Sequence, residues 1–215
     1  MQELRTVHLG RIPYEDALSK MEAILEQRIK DLIPDTLILC EHDPVFTVGR
    51  SKGADQNVLF SGSTPVVHIS RGGDVTWHGP GQLVGYPIIK LQQQDIHAYL
   101  RWLEAFWINE LQNRGVQAQR DERNTGVWVK EKKMVAIGIA LRRWVSWHGF
   151  AWNINPDLSD FQKINPCGMD SGLVTRFCDH TDSYPTVEEA AKQIELAFSQ
   201  WYRNCPLADF TSETI

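Results

Sequence analysis

The sequence has 215 residues, 42% of them apolar and 10% aromatic, which is enough for a sizeable core in one large domain or two small ones. Its net charge of −5, from 22 basic and 27 acidic residues, argues against a general polyanion binder, so we expect no nucleic-acid partner. The N-terminus lacks an apolar signal-like stretch, and nowhere do about 18 uncharged apolar residues run together. We therefore expect a soluble cytoplasmic protein without a membrane span. No linker, repeat or low-complexity run divides the chain, which predicts a single domain over 1–215.

Apolar spacing predicts three amphipathic helices. The first begins after Pro13 and continues to about Pro34, with Ala17, Met21, Ile24, Leu25, Ile29 and Leu32 on its apolar face. The second is capped by Asp95 and ends at Gly115, with Ile96, Tyr99, Leu100, Leu103, Phe106, Trp107 and Leu111 on its apolar face. The third begins at the capping box of Thr186 and Glu189, and it buries Ala190, Ala191, Ile194, Ala197, Phe198 and Trp201.

Strand patterns fill the chain between these helices. The predicted strands are TLILC (36–40), VFTVG (45–49), PVVHI (65–69), LVGYPII (83–89), GVWV (126–129), Met134–Leu141 and WHGFAWNI (147–154), with a charged turn at Lys130–Lys132. Strands that come in neighbouring pairs favour an α+β fold over a βαβ alternation. We therefore predict a mixed, largely antiparallel sheet flanked by helices.

The segment SRGGDVTWHGPGQ, residues 70–82, separates two of these strands and is predicted to be an irregular loop. Glycines permit positive φ and a close approach of backbone to another molecule. Their number alone leaves two interpretations open, a long hairpin loop and a loop that cradles a ligand.

The cysteines are scattered, and no C-x-x-C pair occurs, so we expect neither a structural metal site nor a redox motif. Cys167 lies between a proline and a glycine in INPCG, where a turn can bring a thiol to a substrate. It is a candidate nucleophile, and the alternative is a small residue that fills a turn. Cys40 ends an apolar strand pattern, and the contexts of Cys178 and Cys205 are less suggestive.

A nucleophilic thiol needs a partner near neutral pH, because a free cysteine titrates at about 8.5. His78 or His148 would make a Cys/His hydrolase, although no Asn or Asp third member is identifiable. Lys132 or Lys133 can serve if the apolar sequence MVAIGI disfavours the ammonium form. Both lysines can equally be solvated turn residues.

Taken together, RGGDVTWHGPGQLVGYPI, GVWV, KMVAIGI, HGFAWN and INPCG closely resemble the lipoyl(octanoyl) transferases, over about Leu37–Thr175. The resemblance implies a fold like the catalytic domain of the biotin- and lipoate-protein ligases, with an acyl-binding cavity. It implies transfer of an octanoyl group from octanoyl-acyl carrier protein, through a cysteine thioester, to a specific lysine of a lipoyl domain. The acceptors would be the lipoyl domains of 2-oxoacid dehydrogenases and the glycine-cleavage H protein, and no cofactor would be needed.

The same resemblance assigns the site residues. Cys167 matches the nucleophile, and Lys133 matches its partner. The substrate-binding positions are Arg71, Gly72, Gly73, Asp74, Val75, Thr76, Trp77 and His78 in the first block, Ala136, Ile137 and Gly138 in the second, and Gly149, Phe150 and Ala151 in the third. We expect the N–H groups of Gly72 and Gly73 to face the thioester carbonyl, and we expect Ala136 and Gly138 to leave room for the acyl chain.

Trp77, Trp152 and Arg176 depart from the family pattern, which concerns the cavity shape rather than the reaction. The acidic carrier is expected to meet a basic surface drawn from Arg50, Lys52, Arg71, Arg142 and Arg143. Three other functions are compatible with the resemblance: an ATP-dependent lipoate-protein ligase, an amidotransferase that takes octanoyl from H protein, and a non-catalytic acyl-binding module.

Overall fold

A computed structural model of the protein describes residues 4–165 and 171–211. The helices are α1 (Tyr14–Ile29), α2 (Ile96–Asn113) and α3 (Val187–Asn204). The strands are β1 (Leu4–Ile12), β2 (Asp35–His42), β3 (Val45–Val48), β4 (Val66–His68), β5 (Val75–His78), β6 (Gln82–Ile88), β7 (Gly126–Val129), β8 (Lys132–Arg142) and β9 (Val145–Asn153). Short 3-10 helices occupy several of the connections.

The strands form a large and a small sheet. The large sheet has six strands in the order β1-β2-β6-β9-β8-β7, and all of its neighbours are antiparallel except β1 and β2. The small sheet has the order β4-β3-β5, with β3 parallel to β4 and antiparallel to β5. The prediction of an α+β fold with a mixed, largely antiparallel sheet is therefore confirmed.

Helices cover both faces of the large sheet. Helices α2 and α3 pack on one face around an aromatic core that includes Trp107, Phe150 and Phe198, while α1 packs Met21 and Leu25 on the other face. The predicted caps are present: the Asp95 carboxylate accepts hydrogen bonds from two N–H groups of α2, and Thr186 and Glu189 form the capping box of α3. These caps fix where α2 and α3 begin.

Two strands were not predicted. Strand β1 is an edge strand in which exposed and half-buried residues mix, so its sequence carries little alternation. Strand β5 lies within the glycine-rich segment that we expected to be irregular, and it pairs with β3 from Val45↔His78 to Val48↔Val75. That prediction is wrong for Val75–His78, because pairing with β3 overrides the local turn signals.

Two boundaries also differ from the prediction. Helix α1 ends at Ile29 rather than near Pro34, and Asp31 just beyond it has a positive φ of 57°. Lys132 is already the first residue of β8, so the charged turn contains only Lys130 and Glu131.

The small sheet has its own core, which includes Phe46, Val75, Trp77 and Phe161. Its glycine-rich segment contacts the large sheet, since Gly72 N–H donates to Ile139 O at 2.8 Å. The glycine-rich segment and the large sheet therefore lie on opposite sides of a cavity next to α1. Within residues 4–165 and 171–211, no helix has the length and hydropathy of a membrane span. The prediction that residues 1–215 form one domain stays a prediction.

Candidate active site

A cavity lies between the glycine-rich segment and the face of the large sheet that carries α1. Strands β6, β8 and β9 form its floor, Tyr14 of α1 borders it, and the segment 71–76 with His78 lies opposite. All the predicted substrate-binding residues except Trp77 line this cavity. The structure thus brings together three blocks that are far apart in the sequence.

The floor of the cavity is formed largely by residues with small side chains. In the sheet register Val84 pairs with Ala151, Ala151 with Ala136, and Gly149 with Gly138. Ile137 and Phe150 border the cavity too, but their side chains belong to the aromatic core on the opposite face. Alternation along a strand explains why neighbouring residues serve the cavity and the core in turn.

Gly138 makes room for the glycine-rich segment. A Cβ at this position would stand 3.1 Å from Arg71 Cδ and 3.3 Å from Gly72 O. Gly138 also lines the cavity, and its expected role of leaving room for an acyl chain stays a prediction. The expectation that Ala136 leaves room for the acyl chain also stays a prediction.

The expected role of Gly72 N–H also needs correction. This N–H group donates to Ile139 O at 2.8 Å, so it holds the segment on β8 and does not point at a substrate carbonyl. Gly73 has a positive φ of 84°, and its backbone follows a left-handed conformation that favours glycine. Its N–H remains the predicted contact to a thioester carbonyl.

Arg71 is buried, with 8% of its surface exposed. Its Nη2 donates to Thr47 O at 2.8 Å and to Thr47 Oγ1 at 3.0 Å, and its Nη1 donates to Gly72 O at 3.0 Å. Arg71 is therefore a fixed wall of the cavity. It cannot contribute to the basic docking surface that we had predicted for it.

His78 is buried at the end of β5 and forms hydrogen bonds through both ring nitrogens. Because Gln82 Oε1 can only accept, Nδ1 carries the proton in the 2.6 Å contact between them, and Nε2 faces Thr47 Oγ1 at 3.4 Å. Burial is the main cause that lowers the pKa of His78 to about 3, with the nearby His42 also disfavouring the charge. His78 is therefore neutral near pH 7.

His148 reaches the cavity because of its backbone conformation. Its φ is +56°, its Nε2 lies 3.3 Å from Ser70 Oγ, and its ring stacks on Trp147 with centroids 4.3 Å apart. Burial, followed by the charge of Arg71, lowers the pKa of His148 to about 3. Neither His78 nor His148 is thus an imidazolium that would stabilise a thiolate near neutral pH.

A polar row crosses the floor at the end nearest Lys133. Gln82 Nε2 donates to Asn153 Oδ1 at 2.8 Å, and Asn153 Nδ2 donates to Thr175 O at 3.1 Å. The Thr175 N–H in turn donates to Lys133 O at 3.0 Å. Sequence reasoning missed Gln82 and Asn153, although each is a polar residue in a quoted motif next to apolar strand residues.

Lys133 lies at this end of the cavity, and its side chain is half-buried. Its Nζ donates to Asn124 Oδ1 at 2.8 Å and to Thr125 O at 3.0 Å. Lys133 also forms a parallel bridge with Val174, which lines the cavity as well. The alternative of a fully solvated turn lysine is wrong for Lys133, whereas Lys132 is exposed.

Cys167 lies outside the described residues, so its predicted role stays a prediction. Two described residues on either side of it in the chain, Phe161 and Val174, line the cavity. Burial raises the pKa of the Cys40 thiol, and desolvation is also the largest cause that raises the pKa of Cys178 and of Cys205. These three thiols are therefore poor nucleophiles near pH 7.

The two tryptophans that depart from the family pattern lie away from the cavity lining. Trp77 packs in the small core, with its ring centroid 5.4 Å from that of Phe161. Trp152 packs on the opposite face of the large sheet, 5.3 Å from Trp107. Both act on the cavity only through the elements that they support. Within the described ranges, no group of three or more His, Cys, Asp or Glu side chains is arranged to hold a metal ion.

Residues 13–199 match the family described as lipoyl protein ligase A/B catalytic domain. The chain belongs to this family. Among its curated relatives, an octanoyltransferase of Pelobacter propionicus is 48% identical over 163 residues, which cover 75% of this chain and 77% of the relative. An octanoyltransferase of Caldicellulosiruptor bescii is 42% identical over 207 residues, which cover 92% of this chain and 90% of the relative.

Solved structures support the fold assignment. A putative lipoate protein ligase from T. acidophilum, protein Ta0514, superposes with a TM-score of 0.73 at 19% identity, covering 94% of this chain and 85% of that one. The biotin protein ligase of Aquifex aeolicus superposes with a TM-score of 0.55 at 11% identity, covering 97% and 74%. At these identities the similarity shows a shared fold, as the sequence had predicted.

Proposed function

We propose that this protein transfers an octanoyl group from octanoyl-acyl carrier protein to a specific lysine of a lipoyl domain, the first step of endogenous protein lipoylation. The observation that carries the proposal is the position of Lys133 at one end of a cavity with a floor of small residues, in a chain 42–48% identical to octanoyltransferases. An apolar floor suits a straight acyl chain, and a lysine at its end suits acyl transfer to an amine.

The proposed reaction has two steps. The Cys167 thiolate attacks the carbonyl carbon of the octanoyl thioester, the carrier's thiolate leaves and takes up a proton, and an acyl-enzyme thioester forms. The amine of the acceptor lysine then attacks this thioester, an amide bond forms, and Cys167 leaves as the thiolate. Because a thioester supplies the acyl group, the reaction consumes no ATP and uses no cofactor.

Lys133 would serve both steps. As an ammonium it stabilises the thiolate of Cys167, and as an amine it accepts the proton that the acceptor lysine loses. The hydrogen bonds from Thr175 to Lys133 and from Asn153 to Thr175 tie the residues that follow Cys167 in the chain to strands β8 and β9. This connection supports a role for Lys133 beside Cys167.

The proposed partners are the acidic acyl carrier protein as donor, and the lipoyl domains of 2-oxoacid dehydrogenases and the H protein as acceptors. One structurally similar protein from Thermoplasma acidophilum is described as a lipoate protein ligase together with its E2 lipoyl domain, which is in line with such acceptors. The cytoplasmic location expected from the sequence belongs to the same proposal.

Two exposed basic residues lie beside the glycine-rich segment. The N–H of Arg50 donates to Arg71 O, and the N–H of Ser51 donates to Gly73 O, so the segment with Arg50 and Lys52 is joined to the glycine-rich segment. Both basic residues are exposed. We propose that they receive the acidic carrier. Arg142, at the opposite end of β8 from Lys132, pairs instead with Glu26 at 2.5 Å.

The deciding experiment is the intact mass of the protein after it is mixed with octanoyl-acyl carrier protein in the absence of an acceptor. Wild type and Cys178→Ser should each gain one octanoyl group that hydroxylamine removes, and Cys167→Ser should gain none. Transfer to a lipoyl domain without any adduct would mean direct transfer, and the thioester mechanism would be wrong.

An ATP-dependent ligase is the second candidate, because the similar solved structures include a lipoate-protein ligase A bound with ATP. Incubation of the protein with ATP, octanoate and an apo lipoyl domain separates the two. We expect no modified domain; efficient ATP-dependent modification would favour the ligase. An acyl-binding module would bind octanoyl groups equally well in Cys167→Ser and would turn over in neither form.

A further inference from the structure

Strand β8 contains a register shift next to Lys133. Val127 pairs with Val135, but the next residue of β7, Trp128, pairs with Lys133, so β8 has one extra residue there. Such an insertion is a β-bulge, and it changes which face the following side chains occupy. Met134 and Val135, although consecutive, are both fully buried in the aromatic core.

The bulge decides the direction of the Lys133 side chain. By simple alternation Lys133 would share a face with Val135 and Ile137, whose side chains belong to the aromatic core. The extra residue moves Lys133 to the face of Ala136 and Gly138, which is the face of the cavity. The position of the Lys133 side chain in the cavity therefore depends on this β-bulge.

The connection between α2 and β7 receives the lysine. Lys133 Nζ donates to Asn124 Oδ1 and Thr125 O at 2.8 and 3.0 Å, and it lies 5.0 Å from the centroid of the Trp128 ring. Trp128 Nε1 donates to Asn124 O at 3.2 Å, so the same residue is held by its backbone while its side chain holds the lysine. We call Asn124, Thr125 and Trp128 the lysine cradle.

A buried carboxylate anchors the cradle from behind. Glu104 of α2 is 1% exposed, and its Oε1 accepts the Gly126 N–H at 3.0 Å while its Oε2 accepts from Arg120 at 3.1 Å and from Arg101 at 2.9 Å. Gly126 has a φ of 138°, and a Cβ there would stand 2.6 Å from Val135 O and 3.2 Å from Lys133 Cε. Glycine at this position therefore permits the close approach of β7 to β8 and leaves space for the Lys133 side chain.

From these contacts we infer that Asn124 is a positioning residue for the proposed octanoyl transfer: its side-chain oxygen orients the Lys133 amine toward the cavity and favours its ammonium form. The inference rests on the proposed function for its catalytic meaning. Its physical content does not, because an oxygen that accepts from Nζ stabilises the charged amine whatever the reaction is. The hydrogen bond persists when the amine is neutral, since a neutral amine still has N–H donors.

Other charged groups lie in the elements next to the cradle, and they contribute to the electrostatic background of Lys133. They are Asp121, Glu122 and Arg123 of the same connection, Lys130, Glu131 and Lys132 around the turn between β7 and β8, Glu104 of α2, and His180, which follows Val174 in the chain. Hydrogen bonds from Arg123 are the main cause that lowers the pKa of Asp121 to about 2, and the charge of Lys133 adds to that effect. Asp121 thus already has its own partner.

The test is a titration of the Lys133 amine by NMR in protein labelled at the lysine side chains, with Lys133→Arg used to identify the signal. Asn124→Ala removes an acceptor, so the midpoint of the Lys133 titration should fall below that of wild type. Asn124→Asp has nearly the same shape and adds a negative charge, so the midpoint should rise above it. Gln117→Ala, at an exposed and uncharged residue of the same connection, should leave the midpoint unchanged.

Opposite shifts in Asn124→Ala and Asn124→Asp would support the inference, because a purely structural disturbance would not change sign with the charge of the substituent. Equal midpoints in all variants, or a fall in both Asn124 variants, would overturn it. Asn124→Asp alone decides the matter if Asn124→Ala does not fold.

The pH dependence of octanoyl transfer gives the second readout. Its profile should move in the same direction as the NMR midpoint in each Asn124 variant. A wild-type protein that transfers no octanoyl group would reject the proposed function, while the NMR titration would still test the cradle. If the wild type transfers octanoyl groups but the Lys133 midpoint is the same in both Asn124 variants as in wild type, only the inference about the cradle is rejected.

Discussion

Arg71, in the glycine-rich segment between β4 and β5, is hydrogen-bonded to Thr47 of β3, the central strand of the small sheet: the Nη2 group of the buried arginine donates to both the carbonyl and the hydroxyl oxygen of the threonine, at 2.8 and 3.0 Å. Thr47 is fully buried in β3. Arg71 therefore fixes the glycine-rich segment on the sheet that supports it, in addition to forming a wall of the cavity.

Removing this guanidinium should destabilise the protein. In Arg71→Met the Thr47 oxygens lose charged donors in a buried place, and we expect the free energy of unfolding to fall by about 2 kcal/mol or more. Urea denaturation measures the change. Arg50→Met removes the same group from an exposed site and is the matched control, which should lie within about 0.5 kcal/mol of wild type. Equal stability of the two variants would contradict the structural role of Arg71.

Two glycines beside the cavity should respond differently to alanine. A Cβ at Gly49 would stand 2.3 Å from Gly73 O, a backbone atom that cannot move without displacing the cavity segment, so Gly49→Ala should cost about 1–3 kcal/mol of stability. At Gly72 the closest atom would be Ile139 O at 3.5 Å, an ordinary contact. Gly72→Ala should keep wild-type stability in urea and still slow octanoyl transfer, since its methyl group borders the cavity. Wild-type transfer in Gly72→Ala would show that substrate does not approach this residue.

Stability should fall in mild acid because of the buried histidines. The pKa of His78 and that of His148 are each about 3 in the folded protein, against 6.5 for an unburied histidine. Between these values the unfolded chain binds protons that the folded chain does not. The stabilising contribution is complete above pH 6.5 and is lost as the pH falls toward 3, at up to about 1.4 kcal/mol per pH unit for each histidine.

His148→Asn tests this dependence, because asparagine tolerates the positive φ of that position. Urea denaturation at several pH values between 6.5 and 4 should give a shallower slope than in wild type. His97→Asn, on the exposed surface of α2, controls for the loss of an imidazole. An unchanged slope in His148→Asn would mean that this histidine is protonated in the folded protein.

Alkylation should distinguish Cys167 from the other thiols. Because burial raises the pKa of Cys40, Cys178 and Cys205, each has little thiolate at pH 7. Iodoacetamide should modify one site rapidly in wild type and none rapidly in Cys167→Ser, as followed by intact mass. Lys133→Ala should slow the rapid reaction if the ammonium stabilises the thiolate. Rapid labelling that survives in Cys167→Ser would identify another nucleophile.

Docking of the acyl carrier protein should depend on Arg50 and Lys52 beside the glycine-rich segment. Reversing charge in Arg50→Glu/Lys52→Glu should raise KM for octanoyl-acyl carrier protein, and added salt should weaken the wild-type rate toward that of the variant. Lys192→Glu/Arg203→Glu makes the same change of charge on α3, which packs on the opposite face of the large sheet, and is the control. A similar loss in both double variants would indicate a general effect of net charge rather than a docking surface.

Several parts of the fold could be predicted because they depend on local chemistry. The carboxylate of Asp95 and the pair Thr186 and Glu189 begin their helices as predicted, since capping involves only residues within one turn. Strand β2 was evident from five consecutive residues with apolar or β-branched side chains. Strand β1 was missed, because an edge strand that is covered on only part of its surface need not alternate.

The glycine-rich segment shows where sequence reasoning was incomplete. Its glycines suggested a close approach of backbone to another molecule, but the close approaches in the structure are to the protein itself: a Cβ at Gly81 would stand 2.7 Å from Pro156 N. Outside the segment, Gly138 accommodates Arg71, and Gly49 accommodates Gly73 O. The strand Val75–His78 was hidden because its partner, β3, is distant in the sequence. Arg71 was predicted to be on a docking surface, because charge alone does not reveal burial.

Local patterns and motifs in a fixed order were sufficient to predict the class of fold, two of the helix starts, the family and most of the residues that line the cavity. The directions in which those side chains point depend on long-range strand pairing and became evident from the three-dimensional fold. One extra residue in β8 turns Lys133 from the core face to the cavity face, and a positive φ turns His148 in the same way. Such reversals depend on how strands pair over long distances, and the alternation of side chains in the sequence would have predicted the opposite directions.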